Sequence, residues 1–200
     1  MTWIEKLLGA LIIIVMVTRL IFPFAYSSIV ITLLMLILSM LYFWFGFAIL
    51  NNIRFRHIFK NKFYKDISVL RILGTIVTGF VLSLVIIYAL FKFQRWPYGN
   101  IGLRISLCGL LIIAIVVFMK YLSSKHQFYS NFLIRLFLIG ILATSLYFVS
   151  SETLLELQHR DYPEYVEAEK NLMKDPQNRE LLQKANEERQ KMDLNSSHKN

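Results

Sequence analysis

Residues 70–119 read LRILGTIVTGFVLSLVIIYALFKFQRWPYGNIGLRISLCGLLIIAIVVFM. Two long apolar runs flank a short polar interruption. At 1.5 Å per residue, about 20 apolar residues cross the roughly 30 Å hydrocarbon core of a bilayer. The interruption, FKFQRWPYGN at 91–100, has the composition of a membrane boundary. Phe91, Phe93, Trp96 and Tyr98 are rings suited to headgroup level, and Lys92, Arg95 and Arg104 can carry their charges to water. Pro97 is expected to stop the first helix and Gly99 to permit the reversal into the second. Lys92, Arg95, Trp96, Pro97 and Arg104 therefore form an interfacial turn and a candidate partner contact.

The same reading extends over the chain. Spans are expected at about 3–22, 26–50, 70–93, 101–119 and 132–149, giving an all-α, multi-pass transmembrane helical bundle over residues 1–150. Residues 151–200 form a short, charged, helical extramembrane tail. Charge follows this division: residues 1–150 carry net +12 and residues 151–200 net −3. Asp66 is the only acid between Lys6 and Ser150. The first span has the charged start and apolar middle of a signal sequence. However, AYS at 25–27 is a poor cleavage site, so a retained helix is expected. Ten basic residues lie on the side of the chain start and the 51–69 loop, against five on the other side. That asymmetry puts the N-terminus in the cytoplasm and, with five spans, the tail outside, which in a bacterium is the periplasm.

Within the tail, Thr153 and Glu156 have capping-box spacing, Pro163 can open a second helix, and Asp175 with Pro176 can open a third. Val166 with Met173, Tyr165 with Leu172, and Leu181 or Leu182 with Ala185 and Met192 offer narrow apolar stripes for a small hairpin. NSSHKN at 195–200 reads as a frayed end. Glu152, Glu156 and Asp161 lie on the same side of the bundle as Lys92, Arg95 and Arg104, so the tail is expected to sit over that basic end.

The basic balance does not indicate nucleic acid, because the charges lie between spans rather than along one face. Arg54, Arg56, Lys60, Lys62 and Lys65 can instead meet lipid headgroups while setting topology. The histidines fall in no metal-ligand spacing, and the lone Cys108 reads as a small packing residue. No serine or cysteine has a base and an orienting acid near it in sequence. No catalytic residue, metal site or cofactor is expected. Gly74 with Thr78, Thr75 with Gly79, Gly102 with Ser106 and Gly109, and Gly140 with Thr144 suit close helix packing.

LFKFQRWPYGN resembles the turn between the two membrane helices of GldL, a family of gliding-motility and secretion-motor membrane proteins of Bacteroidetes. The family pattern is approximately Phe-Lys-x-x-His-Trp-Pro-Gly. Phe91, Lys92, Trp96 and Pro97 match it, Arg95 stands in place of the histidine, and Tyr98 precedes the glycine. The resemblance covers about ten residues and implies a periplasmic turn and a Bacteroidetes origin. Energy coupling in such motors uses a carboxylate inside a membrane helix, the usual mark of a proton path. The second to fifth spans contain no Asp or Glu, so a motor stator is not expected. The sequence points to a non-catalytic accessory or scaffold subunit of the bacterial inner membrane. Its tail would meet another membrane or periplasmic protein. The alternative is a small transporter or ion-conducting component related to the GldL hairpin.

Overall fold

The computed structural model describes residues 3–21, 26–53, 55–58 and 67–198. The described residues form eight α-helices and no strand: α1 (Trp3–Ile21), α2 (Ser27–Leu50), α3 (Val69–Phe93), α4 (Gly99–Ser124), α5 (Gln127–Phe148), α6 (Ser151–Gln158), α7 (Pro163–Lys174) and α8 (Arg179–His198). A 3-10 turn, Phe55–His57, follows α2. Helices α2 to α5 are long and apolar enough to cross a membrane. Helix α1 is not among those four, because its 19 residues include Glu5, Lys6 and Arg19. The chain divides into two compact units, the first within 1–15 and 28–148 and the second within 16–27 and 149–200.

In the first unit, α2 and α3 run antiparallel along a regular seam. Gln94 accepts a 2.8 Å bond from Ser28 Oγ and donates to Thr32 Oγ1 at 3.1 Å. Further along, the buried Ser39 and Ser83 hydroxyls lie 2.7 Å apart. Gly46 then meets Gly79, and Asn51 Nδ2 donates to Thr75 Oγ1 at 3.0 Å. On α2, residues 28, 32, 35, 39, 42, 46 and 49 follow the alternating four-three spacing of a helix seam. The crossing at Gly46 is backbone on backbone. A Cβ there would lie 2.6 Å from Gly79 Cα, and a Cβ on Gly79 would lie 2.6 Å from Tyr42 O.

Only some of the expected small-residue pairs serve this purpose. Thr75 and Gly79 are buried in the seam, whereas Gly74 faces open space and its carbonyl accepts the Thr78 hydroxyl at 2.8 Å. Gly102 admits the Tyr88 ring between α3 and α4, and Gly140 lets Leu110 of α4 approach α5.

The 91–100 turn reverses the chain differently from the sequence expectation. Helix α3 ends at Phe93, before Pro97, in a Schellman arrangement. Trp96 N bonds Phe91 O at 2.8 Å and Arg95 N bonds Lys92 O at 3.1 Å, with Arg95 left-handed at φ 58°. The apolar contact that accompanies this motif is Trp96 against Phe91, edge to face at 5.1 Å. Tyr98 supplies a second positive φ, 62°. Gly99 is therefore not the flexible hinge. It is needed for space, since a Cβ would lie 2.7 Å from Lys92 N.

Asn52 closes α2 with the same motif. It is left-handed at φ 57°, Ile53 N bonds Ala48 O at 2.8 Å, and Ile53 and Ala48 share an apolar cluster. The stretch KYLSSKHQFYSN at 120–131, between the expected fourth and fifth spans, is mostly helix: α4 runs to Ser124 and α5 starts at Gln127, with Lys125 at φ 50° between them. Hydropathy falls at the interface, but nothing there interrupts the backbone ladder until Lys125.

In the second unit, α6 is capped by Ser150, whose Oγ accepts from Thr153 N at 2.9 Å, so Thr153 is inside the helix rather than its cap. Pro163 opens α7 as expected. Asp175 closes α7, and Asn178 caps α8 by accepting from Glu180 N at 3.0 Å. The helix then continues to His198, through most of the segment expected to fray. Leu155, Tyr165 and Val166 form the small core, with Tyr162 and Met192 against it. Leu181 is half-buried, whereas Leu182 and Met173 are exposed.

Replacing Gly79 by leucine should drive α2 and α3 apart and abolish a cooperative melt in detergent. Gly74→Leu, facing open space on the same helix, should melt within a few degrees of the parent. Equal losses in the two variants would contradict the seam.

Candidate functional site

A charge inside hydrocarbon costs roughly 2.5–3.5 kcal/mol on insertion scales, so intramembrane ionisable residues face partners or water. Among the described residues of the first unit, a buried acid and a buried base come together. Glu5 of α1, Tyr42 of α2 and Arg135 of α5 converge, exposed by only 3%, 1% and 1%. Arg135 Nε lies 3.4 Å from Glu5 Oε1, an ionic contact outside hydrogen-bond geometry. Tyr42 donates its hydroxyl proton to the same carboxylate oxygen. Arg135 Nη1 donates to Ile49 O at 2.8 Å and Nη2 to Asn52 Oδ1 at 3.1 Å.

The local geometry explains how an arginine reaches this position. Arg135 is eight residues into α5, which begins at Gln127, or about 12 Å along the axis. Its guanidinium reaches the last carbonyls of α2, where the helix dipole is negative. Asn52, turned left-handed at the C-terminal cap, adds its side-chain oxygen. A second arginine serves the same end. Arg71 Nε donates to Asn51 Oδ1 at 2.8 Å, and its guanidinium carbon lies 3.5 Å over the Phe128 ring.

Glu5 and Arg135 were legible as charges but not as partners. Glu5 reads as the polar start of the first span and Arg135 as a residue snorkelling to the boundary. The structure turns both inward. A sequence signal did exist: one acid and one base of opposite sign, each inside an otherwise apolar run and near the same expected face of the membrane. Tyr42 carried no such signal.

The residues singled out at the 91–100 turn do not gather into one polar site. Trp96, Pro97 and Tyr98 are exposed, and Arg95 is half-buried. Lys92, expected to snorkel outward, is buried and donates through Nζ to Asn100 Oδ1. Arg104 is exposed on α4. In the basic loop, Arg56 is exposed in the 3-10 turn, while Arg54, Lys60, Lys62 and Lys65 lie outside the described residues. Cys108 is exposed rather than packed in the interior. Among the described residues no three His, Cys, Asp or Glu side chains are placed to hold a metal ion.

Several acids of the tail pair within it. Glu156 binds Lys170 and Asp161 lies near Arg160. The buried Glu169 accepts from Tyr165 Oη at 2.9 Å and from Arg189 Nη2 at 2.6 Å. The hydrogen bond to Glu156 raises the Lys170 pKa above its ordinary 10.5, and that to Glu169 raises Arg189. A raised pKa means these pairs contribute fully at neutral pH. The Lys170 contribution is lost as pH climbs through its folded value above 10.5.

Breaking a buried ion pair by removing one partner costs about 3–5 kcal/mol, because the other charge is stranded. Arg135→Leu removes the cation facing Glu5, so it should lower the melting temperature in detergent more than Glu5→Leu does. Adding Glu5→Leu to Arg135→Leu should restore part of the loss. Strict additivity of the two would contradict the pairing. Comparison of the chain with protein-family models, curated proteins and solved structures finds no match to any of them.

Proposed function

We propose that this chain is a non-catalytic, multi-pass protein of the bacterial inner membrane, acting as an accessory or scaffold subunit. The observation that carries the reading is the state of Glu5, the one carboxylate in α1 to α5. It is held by Arg135 and Tyr42 in a buried arrangement that ties three helices together. A carboxylate so engaged suits a structural part better than a proton carrier, which must exchange its proton with water on each side in turn.

Pairing with Arg135 also offsets Glu5, one of the three charges that set α1 apart from the other four helices, and this supports α1 as a fifth span. Five spans and the surplus of basic residues on the side of the 51–69 loop then give a cytoplasmic N-terminus and a periplasmic tail. On that tail Met173, Leu182 and Leu194 are exposed apolar side chains on otherwise polar helices, and they suit contact with another membrane or periplasmic protein.

The second reading is a small transporter or ion-conducting component, as the resemblance of the 91–100 turn to GldL would imply. What it draws on is that Glu5 is an ionisable group inside a helix, a kind of residue that commonly marks ion paths.

One reconstitution separates the two. Proteoliposomes with an internal pH dye and an imposed potential should take up protons no faster than empty vesicles. Flux that Glu5→Gln abolishes without unfolding the protein would replace the scaffold reading with the conducting one. For topology, alkaline phosphatase fused after Asn200 should be active; activity only from a cytoplasmic reporter at that site would overturn the five-span arrangement.

A further inference from the structure

Helices α4 and α5 do not close against each other along their whole length. Between them runs an open groove of about 970 Å³, at the upper end of the roughly 300–1,000 Å³ usual for small-molecule sites. Small residues, Cys108, Ala114, Gly140 and Thr144, open the space between the helices, and large ones such as Leu111 and Phe137 border it. The groove is apolar except at the end nearest the 91–100 turn. There Arg104 and Tyr147 also line a smaller adjoining recess with Asn100. Asn100 Oδ1 accepts from Lys92 Nζ, which leaves the Asn100 amide as a donor.

This polarity has a specific complement. Guanidinium, phenol and amide donors at headgroup level match a phosphodiester, and the apolar channel below matches an aliphatic chain. From Arg104 to Phe118, both lining the groove, the helix advances about 21 Å, more than the roughly 15 Å of one hydrocarbon leaflet. Residues 69–148 contain no Asp or Glu, so a cationic headgroup would find no carboxylate on these helices while an anionic one meets Arg104. We propose that the α4–α5 groove binds one anionic phospholipid, its phosphate on Arg104 and an acyl chain along Cys108, Ala114 and Gly140.

The proposal rests on α4 and α5 being membrane helices, and the two can fail separately. If alkaline carbonate strips the chain from membranes, the membrane reading itself is wrong. If the chain stays but the lipid result fails, only this site is wrong.

The test uses the full chain in mild detergent, offered phosphatidylglycerol or phosphatidylcholine and observed by native mass spectrometry. One phosphatidylglycerol should be retained, at least several-fold more than phosphatidylcholine. Arg104→Gln should remove that preference, Arg104→Lys should keep most of it, and Ala114→Trp should reduce retention of both lipids by filling the channel. Cys108, the single cysteine, gives an independent readout: its alkylation by a maleimide should slow several-fold in phosphatidylglycerol, and less so in Arg104→Gln. Equal retention of the two lipids, unchanged by Arg104→Gln, would overturn the proposal. Efficient Cys108–Cys108 disulfide formation between two chains in the membrane would overturn it as well, by putting a second copy over the groove.

Discussion

A charge buried inside a helical bundle must find its partner within the protein, and the Glu5–Arg135 pair meets that constraint here. Arg135 enters from α5, takes the terminal carbonyl of Ile49 on α2 and stands against Glu5 of α1. Helix α5 is thereby tied to α1 and α2, which lie far from it in the sequence. Tyr42 belongs to both systems, since its hydroxyl bonds Glu5 while its carbonyl borders the Gly46–Gly79 crossing. Buried ion pairs of this kind contribute little net stability over an apolar replacement, but they strongly disfavour arrangements that separate the partners. The pair therefore specifies which helices meet more than it strengthens their meeting.

The α2–α3 seam supplies the complementary, uncharged half of the architecture. In lipid there is little hydrophobic drive between helices, so close backbone approach and interhelical hydrogen bonds carry the association. The seam uses both: a glycine pair where the helices cross, with serine, threonine, asparagine and glutamine contacts spaced on either side. The two helix ends next to this seam are closed in one way. Asn52 and Arg95 each take a left-handed conformation after α2 and α3, and each is followed by an apolar residue folded back on the helix. At Arg95 a side chain occupies a position that usually favours glycine, while Gly99 nearby is reserved for a place where no Cβ fits.

Much of this was legible in the sequence because length and hydropathy act locally. The ends of α2, α3 and α5 fall close to where the apolar runs stop, and Pro163 opens α7 as its ring geometry dictates. What was not legible depends on partners distant in sequence. Gly74 and Gly79 look alike in the chain, yet only Gly79 faces another helix. Lys92 and Arg135 look like snorkelling cations, yet each turns inward to a polar group from another segment. Caps were misplaced for a similar reason. Thr153 and Asp175 have the right chemistry, but Ser150 and Asn178 sit where free backbone N–H groups point.

The direct test of the central ion pair is a solid-state NMR measurement on the full chain in lipid bilayers. Glutamate side-chain carboxyl carbons and arginine guanidinium nitrogens would carry the labels. The structure places Arg135 Nε 3.4 Å from the Glu5 carboxylate. A through-space carbon–nitrogen correlation should therefore appear and vanish in both Glu5→Gln and Arg135→Lys. If every correlation observed survives both substitutions, Glu5 and Arg135 do not meet in the membrane and the arrangement of α1 against α2 and α5 is wrong.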